Sequence, residues 1–346
     1  MTGLAVANSP LSIRGLYLVF LLLLLTSFIL ALLVGAVPVE LHELWQGWRN
    51  SDSANQAEII IYAIRLPRIL LAAIVGALLA SSGAVMQGLF RNPLADPSLI
   101  GVTAGASAGG SVMIVISAAS STAFWSLWLI SAGAFIGGIA AVYLVYTLAT
   151  RGNSTSVATM LLAGIAITAL VSSLTGTLEF FASNELLRRI SLWKMGGLDG
   201  ANYARVGVVA VVAAVFFLIL PRYCSALNVL LLGESEARYL GFEVDQLKQH
   251  LIVLVAAVVG ASVAMAGTIA FVGLVAPHTV RLLVGPDHQR LLPLSAVAGA
   301  ILLLVADMVA RTLVSPAELP VGLITAVLGA PFFISLLIKR NDYGLF

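Results

Sequence analysis

PSLIGVTAGASAGGSVMIVISAASSTAFWSLWLISAGAFIGGIAAVYLVYTLAT, the 54 residues from Pro97 to Thr150, contains no Asp, Glu, Lys or Arg. A helix needs about 20 apolar residues to cross the hydrocarbon core of a bilayer. The stretch is therefore too long for one crossing and suits two with a turn between them. Shorter uncharged stretches recur on both sides of it. The runs are continuous, as in Leu18–Leu25, and do not alternate with period two. That pattern selects helices over barrel strands, and helices satisfy their own backbone polar groups in lipid. The chain is predicted to be an all-α, polytopic membrane protein.

Composition agrees. Hydrophobic residues make up 60% of the chain and charged residues 10%, against about 25% charged in soluble domains. A net charge of +2 is too small to argue for nucleic acid. Cys224 is the only cysteine, which excludes an internal disulfide and a cysteine metal cluster. The apolar run from Leu16 to Val37 is longer than the ~7–15 residues of a signal-peptide core, and no A-x-A-like site ends it. It is read as the first crossing.

Ten crossings are expected, at about 11–34, 69–90, 98–117, 124–149, 157–177, 206–221, 250–266, 270–284, 291–310 and 320–338. The seventh and eighth are ambiguous: Gly267, Gly273 and Pro277 interrupt the uncharged run between Lys248 and Arg281. One long crossing and a re-entrant piece would also fit. An even count puts both termini on one side. Two charged segments lie outside the bilayer, an outer loop at 38–62 and an inner segment at 224–249. With the N-terminus inside, inner segments hold ten Lys and Arg and outer segments eight, which barely satisfies the positive-inside rule. The whole of 1–346 reads as one transmembrane domain. Gly101, Gly105 and Gly109, and Gly133 and Gly137, fall four apart. Such spacing makes a groove for close helix approach, more often plain packing than a moving pathway.

Several chemistries are absent. No G-x-x-x-x-G-K-[ST] occurs, so the chain has no phosphate-cradling loop of its own. Neither H-E-x-x-H nor G-x-S-x-G is present. His42, His250, His278 and His288 fall near helix ends or in loops, where a solvated or capping role is the default. Ion-coupled carriers usually keep a mid-membrane carboxylate. The nearest candidate, Asp307, sits four residues before Arg311 and is read as a structural pair with it. An energy source outside the chain is the better reading.

Five segments carry chemistry. Arg65-Leu-Pro-Arg68 opens the second crossing, with Pro67 suited to a first helical turn. Its two cations sit at the positive end of a helix dipole and call for an anion. With Arg311 they suit a docking surface for carboxylates. Arg91-Asn-Pro-Leu-Ala-Asp-Pro97 forbids continuous helix and reads equally as a gate or a stiff turn. Leu227–Gly241 mixes charges and glycines, predicting short helices outside the bilayer that face a partner. Gly273–Arg281 with Gly285–His288, and Pro316–Gly322, are further proline and glycine breaks.

In this order and spacing RLPR (Arg65–Arg68), QGLFRNPLADPSLIG (Gln87–Gly101), LLLGESEARYLG (Leu230–Gly241), FVGLVAPHTVRLLVGPDH (Phe271–His288) and PAELPVG (Pro316–Gly322) resemble the permease family of ATP-binding-cassette importers for vitamin B12, iron–siderophores and heme. Within it the likeness is greatest to heme importer permeases. The resemblance spans about Ile59 to Ile338. It implies a bundle like the B12 importer permease: ten helices per subunit, a homodimer in the bacterial inner membrane, and a central pathway. Two cytoplasmic ATPase subunits would bind ATP and Mg, leaving no cofactor, metal or catalytic residue in this chain. A periplasmic binding protein would deliver heme, or a ferric siderophore or cobalamin. The rival class is an ion-coupled secondary carrier; an integral membrane enzyme comes third. Carried over by motif, Arg65, Arg68 and Arg311 dock the binding protein. Leu227, Gly233, Glu234, Ala237, Arg238 and Gly241 couple to the ATPase. Asn92, Leu94, Ser154, Thr155 and Ser156 form inner gates. Gly164, Thr168, Ser172 and Ser173 line the path on the fifth crossing, which faces its symmetry mate.

Overall fold

The computed structural model describes residues 12–35, 37, 56–118, 123–152 and 154–342; most of the expected outer loop lies outside them. Helix α1 (Ile13–Leu33) starts at Ser12, whose hydroxyl accepts the Gly15 N–H. A turn at Gln56–Ile59 widens into a π-helix (Ile60–Arg65) and runs into α2 (Leu66–Leu89), with Pro67 in the first turn as expected. Beyond α2, Arg91 adopts φ +50°, and two prolines deny further helix. Asp96 then accepts the Ser98 N–H at 2.8 Å and caps a 3-10 turn, Pro97–Ile100.

The 54-residue uncharged stretch yields that 3-10 turn and two long helices, α3 (Val102–Ala118) and α4 (Ala123–Ala149). A two-residue hairpin follows: β1 (Thr150–Arg151) pairs antiparallel with β2 (Ser154–Thr155). Ser156 caps α5 (Val157–Phe181). A short α6 (Asn184–Lys194), capped by Ser183, and α7 (Tyr203–Ile219), capped by Asn202, come next. The charged segment after α7 holds two small helices, α8 (Cys224–Leu230) and α9 (Glu234–Tyr239). The chain ends in α10 (Val244–Ala266), α11 (Val272–Val284), α12 (His288–Thr312) and α13 (Val321–Asp342).

The ten expected crossings correspond to α1–α5, α7 and α10–α13, with ends displaced by several residues. Among the described residues seven helices are long and apolar enough to span a membrane, and three are shorter. The ambiguous seventh and eighth resolve physically. Helix α10 is full length, whereas the 13 residues of α11 rise only about 20 Å, short of a bilayer core of about 30 Å. Between them Gly267 and Phe271 both take positive φ, +68° and +66°. Helix α6 is an addition: its cap and its Glu185-to-Lys194 charge order favour a helix, but its interfacial mixture of charged and apolar residues hides it from a search for crossings.

Helices α2 and α10 form the centre, with 78% and 72% of their apolar windows buried; α5 is only 11% buried and α1 17%. Helix α2 approaches α12 where Gly76 meets Gly299, and α11 where Gly83 meets Gly273. Helices α3 and α4 meet along Gly105, Gly109, Gly133 and Gly137. A methyl group on Gly105 or Gly109 would strike the carbonyl oxygen of Gly137 or Gly133. The four-residue spacing is thus packing within one chain. Gly101 departs from the pattern: it turns the chain at φ +80° ahead of α3.

Gly137→Val should cost about 1–3 kcal/mol through overpacking, read as a lower melting temperature in detergent. Gly207→Ala, where nothing lies within 4 Å, should cost nothing. Equal melting of both variants would refute the close approach.

Candidate functional site

A cavity of about 500 Å³ lies between α3, α5 and the break before α11, within the ~300–1,000 Å³ of ligand sites. Ser98, Thr103, Ser107, Thr168, Ser172, Thr175 and Thr268 give it a hydroxyl-rich wall, with Val171, Ile269, Phe271 and Leu274 as apolar surface. The broken backbone from Thr268 to Phe271 borders it, which is where irregular backbone is tolerated at membrane depth. Two charged residues reach it. Lys194 donates to Glu179 at 2.9 Å. Burial pushes the Asp96 carboxyl above its ordinary range, against the pull of its hydrogen bonds from Ser98. Of the expected path residues, Thr168 and Ser172 line this cavity. Gly164 does not: it is buried where a side chain would strike the Leu99 carbonyl, so it seats α5 on the 3-10 turn. Ser173 is exposed on α5.

The expected gate residues occupy two sites. Asn92 and Leu94 belong to the turn after α2, where the Leu94 N–H donates to Asn92 Oδ1 at 3.0 Å. Ser154 and Thr155 form β2, and the Ser156 hydroxyl accepts the Thr159 N–H at 3.3 Å. Thr155 is buried; Ser154 and Ser156 are exposed.

Around α8 and α9 the sequence expectation of short helices holds. Leu227 and Ala237 are buried anchors. Gly233 enters α9 at φ +134° and Gly241 leaves it at φ +86°, conformations that favour glycine. Glu234 pairs with Lys248 at 2.7 Å, and Arg238 with Asp245 at 2.7 Å. Leu232, Tyr239 and Leu240 are exposed beside them. The sequence reading passed over these three; apolar residues amid charges were the available signal. Helix α8 is fastened to α12. Asn228 donates to Asp287 at 2.7 Å and accepts the His288 N–H at 2.8 Å, and His288 Nδ1 lies 2.8 Å from its oxygen. The solvated role expected of histidines fails here, because His288 is completely buried. His250 and His278 sit against Tyr223 and Phe332, and His42 lies outside the described residues.

At the other end of α2 the arginines expected to dock a partner turn inward. Arg65, Arg68 and Arg311 are buried, 4–6% exposed, and engaged within the chain. Arg68 reaches Asp307 at 2.8 Å and Glu318 at 2.7 Å, and Arg311 reaches the other Asp307 oxygen at 3.0 Å. Arg65 donates to the carbonyls of Leu32, Leu33 and Val37, and Arg311 to that of Ala31. The carbonyls of Ala31, Leu32 and Leu33 end α1, where a helix has no N–H donors left for its last carbonyls and favours cations; Val37 lies just beyond. The anions for Arg68 and Arg311 are therefore internal, and Arg65 is held by carbonyls. The Asp307–Arg311 pair was legible from its four-residue spacing; Glu318 was not. Arg188 and Arg189 on α6 are exposed cations.

Ten apolar helices, a hydroxyl-lined cavity between some of them and a platform of small helices define a polytopic membrane protein. The FecCD transport family matches residues 22–339, and the chain belongs to that family. It is 43% identical to the hemin transport system permease protein HmuU of Yersinia pestis over 329 residues, 92% of this chain and 96% of that one. It is 44% identical to the cobalamin import system permease protein BtuC of Halobacterium salinarum, over 84% of this chain and 76% of that one. Among solved structures it is similar to a metal-chelate type ABC transporter in an inward-facing conformation, with TM-score 0.83, 34% identity, and coverage of 94% of this chain and 99% of the other. The chain is an ABC importer permease subunit.

Asp307→Ala should cost about 3–5 kcal/mol, because it strands two buried guanidinium groups. Glu318→Gln, at a side chain 39% exposed, should cost about 0–1 kcal/mol. Thermal unfolding of the purified variants checks the order.

Proposed function

We propose that this chain is one half of a homodimeric permease that carries heme from the periplasm to the cytoplasm across a bacterial inner membrane. Two separate cytoplasmic ATPase subunits, binding ATP and Mg, supply the power, and a periplasmic binding protein supplies the cargo. The near full-length match to a hemin permease carries this reading. Cobalamin is the second reading, motivated by the BtuC relatives, whose matches are nearly as long and as similar.

The geometry supports an alternating-access mechanism. Helix α5 exposes Leu162, Ile165, Leu170 and Leu174 while its neighbouring Thr168 and Ser172 line the cavity. A second copy against that face would join two such cavities into one passage with few strong contacts. Selectivity then rests with the binding protein. The exposed Leu232, Tyr239 and Leu240, beside charged α9, face the ATPase. Docking of the binding protein on Arg65, Arg68 and Arg311 requires its carboxylates to replace Asp307 and Glu318 at Arg68 and Arg311, and backbone carbonyls at Arg65. Arg188 and Arg189 offer cations that need no such exchange, and charge complementarity there would speed and orient encounter.

Vesicles holding the full complex should take up heme only with ATP and a loaded binding protein, followed by the heme Soret band. Uptake by this chain alone, or competition by cobalamin in place of heme, would overturn the assignment. Ser156→Cys in a Cys224→Ser background should cross-link the two subunits in at least one nucleotide state, seen as a dimer band; failure in every state would remove Ser156 from a central gate.

A further inference from the structure

We propose that Lys248 and Asp245 are positioning residues that clamp α9 to the start of α5 and so carry the motion of the platform to the gate hairpin. The proposal rests on the permease reading above. Asp245 and Lys248 lie three apart at the start of α10 and so share a face. Both hold the same residue. The Thr155 N–H donates to Asp245 Oδ1 at 3.1 Å, and the Thr155 carbonyl accepts from Lys248 Nζ at 3.0 Å. Both also hold α9. Lys248 Nζ lies 2.7 Å from Glu234 Oε2, and Arg238 Nη2 donates to Asp245 Oδ2 at 2.7 Å.

Glu234 opens α9 and Arg238 sits in its last turn. The small helix is thus gripped at both ends by two side chains that also grip both backbone polar groups of one buried residue. A helix held at two points cannot pivot without moving what holds it. Thr155 is followed by Ser156, the cap of α5, and is laddered to Thr150 at the end of α4. Displacement of α9 therefore arrives at the helix that lines the cavity.

The two rungs differ in strength. The Arg238 side chain is 50% exposed, and such pairs hold weakly. The Lys248 side chain is 2% exposed, so its ammonium cannot recover water if a partner leaves. Lys248 is the principal rung. None of these groups lines the cavity, so the clamp acts through Thr155 and not on cargo.

The test uses the full complex with its ATPase subunits in vesicles. In a Cys224→Ser chain, spin labels at Ser154 and Ser235 should keep their separation with and without ATP. A change beyond one helical turn, about 5.4 Å, would overturn the clamp without any change to its residues. Lys248→Gln should leave the ATPase subunits attached and hydrolysing but lower cargo moved per ATP by about fivefold or more, the low end of coupling between sites. Lys248→Arg should restore the ratio, which a purely folding role would not separate from hydrolysis. An unchanged ratio in Lys248→Gln would overturn the clamp alone. Failure of the unsubstituted chain to hold an ATPase would overturn the permease reading and the clamp together.

Discussion

Lipid offers no hydrogen bonds. Every backbone amide and carbonyl inside it must find a partner in the protein, and this constraint orders the whole molecule. It makes long helices of the apolar stretches. It also decides where the chain is allowed to stop being helical. The turn at 91–101 is sheltered by α5 and α11, and the break at 267–271 borders the cavity. Charges obey a stricter version of the rule. Asp307 is buried between Arg68 and Arg311, and Lys248 between Glu234 and the Thr155 carbonyl. Each is placed where an opposite charge or an oriented carbonyl stands ready.

The same economy gives the two ends of the bundle different characters. At the Arg68 end, ion pairs and freed carbonyls lock α1, α2 and α12 together. Its carboxylate is wholly buried, which favours permanence over exchange. At the α9 end each pair has a partner with some access to water: Glu234 beside buried Lys248, and Arg238 beside Asp245. Between these ends, the glycine contacts of α3 with α4 and of α2 with α12 allow little rearrangement. Helix α5 is the least buried of the seven long apolar helices among the described residues.

Much of this was legible in the residues. Absence of charge from Pro97 to Thr150 marked two helices, and Pro93, Pro97, Gly267 and Gly285 fall at breaks, whereas Gly273 and Pro277, also read as breaks, lie inside α11. The segment 224–249 announced its short helices by charge and glycine. What could not be read was pairing across long separations. Nothing in PAELPVG distinguishes Glu318 as a partner for Arg68, and nothing around Lys248 marks it as buried. A two-residue hairpin is too short to leave a period. The internal partners of the three arginines were hidden for a related reason. Helix position identifies a cation that needs an anion but not which chain supplies it, and here α12 and the segment before α13 do.

The tie between Arg311 and the Ala31 carbonyl spans 280 positions. A ribosome releases α1 into the bilayer long before it has made the arginine that finishes it. Until then Arg65 can hold the Leu32 and Leu33 carbonyls, but the Ala31 carbonyl must lean on headgroup water. Sealing this corner is therefore among the latest steps of biogenesis, and a nascent chain arrested before α12 would carry a first helix tied at its end by Arg65 but not yet closed by Arg311.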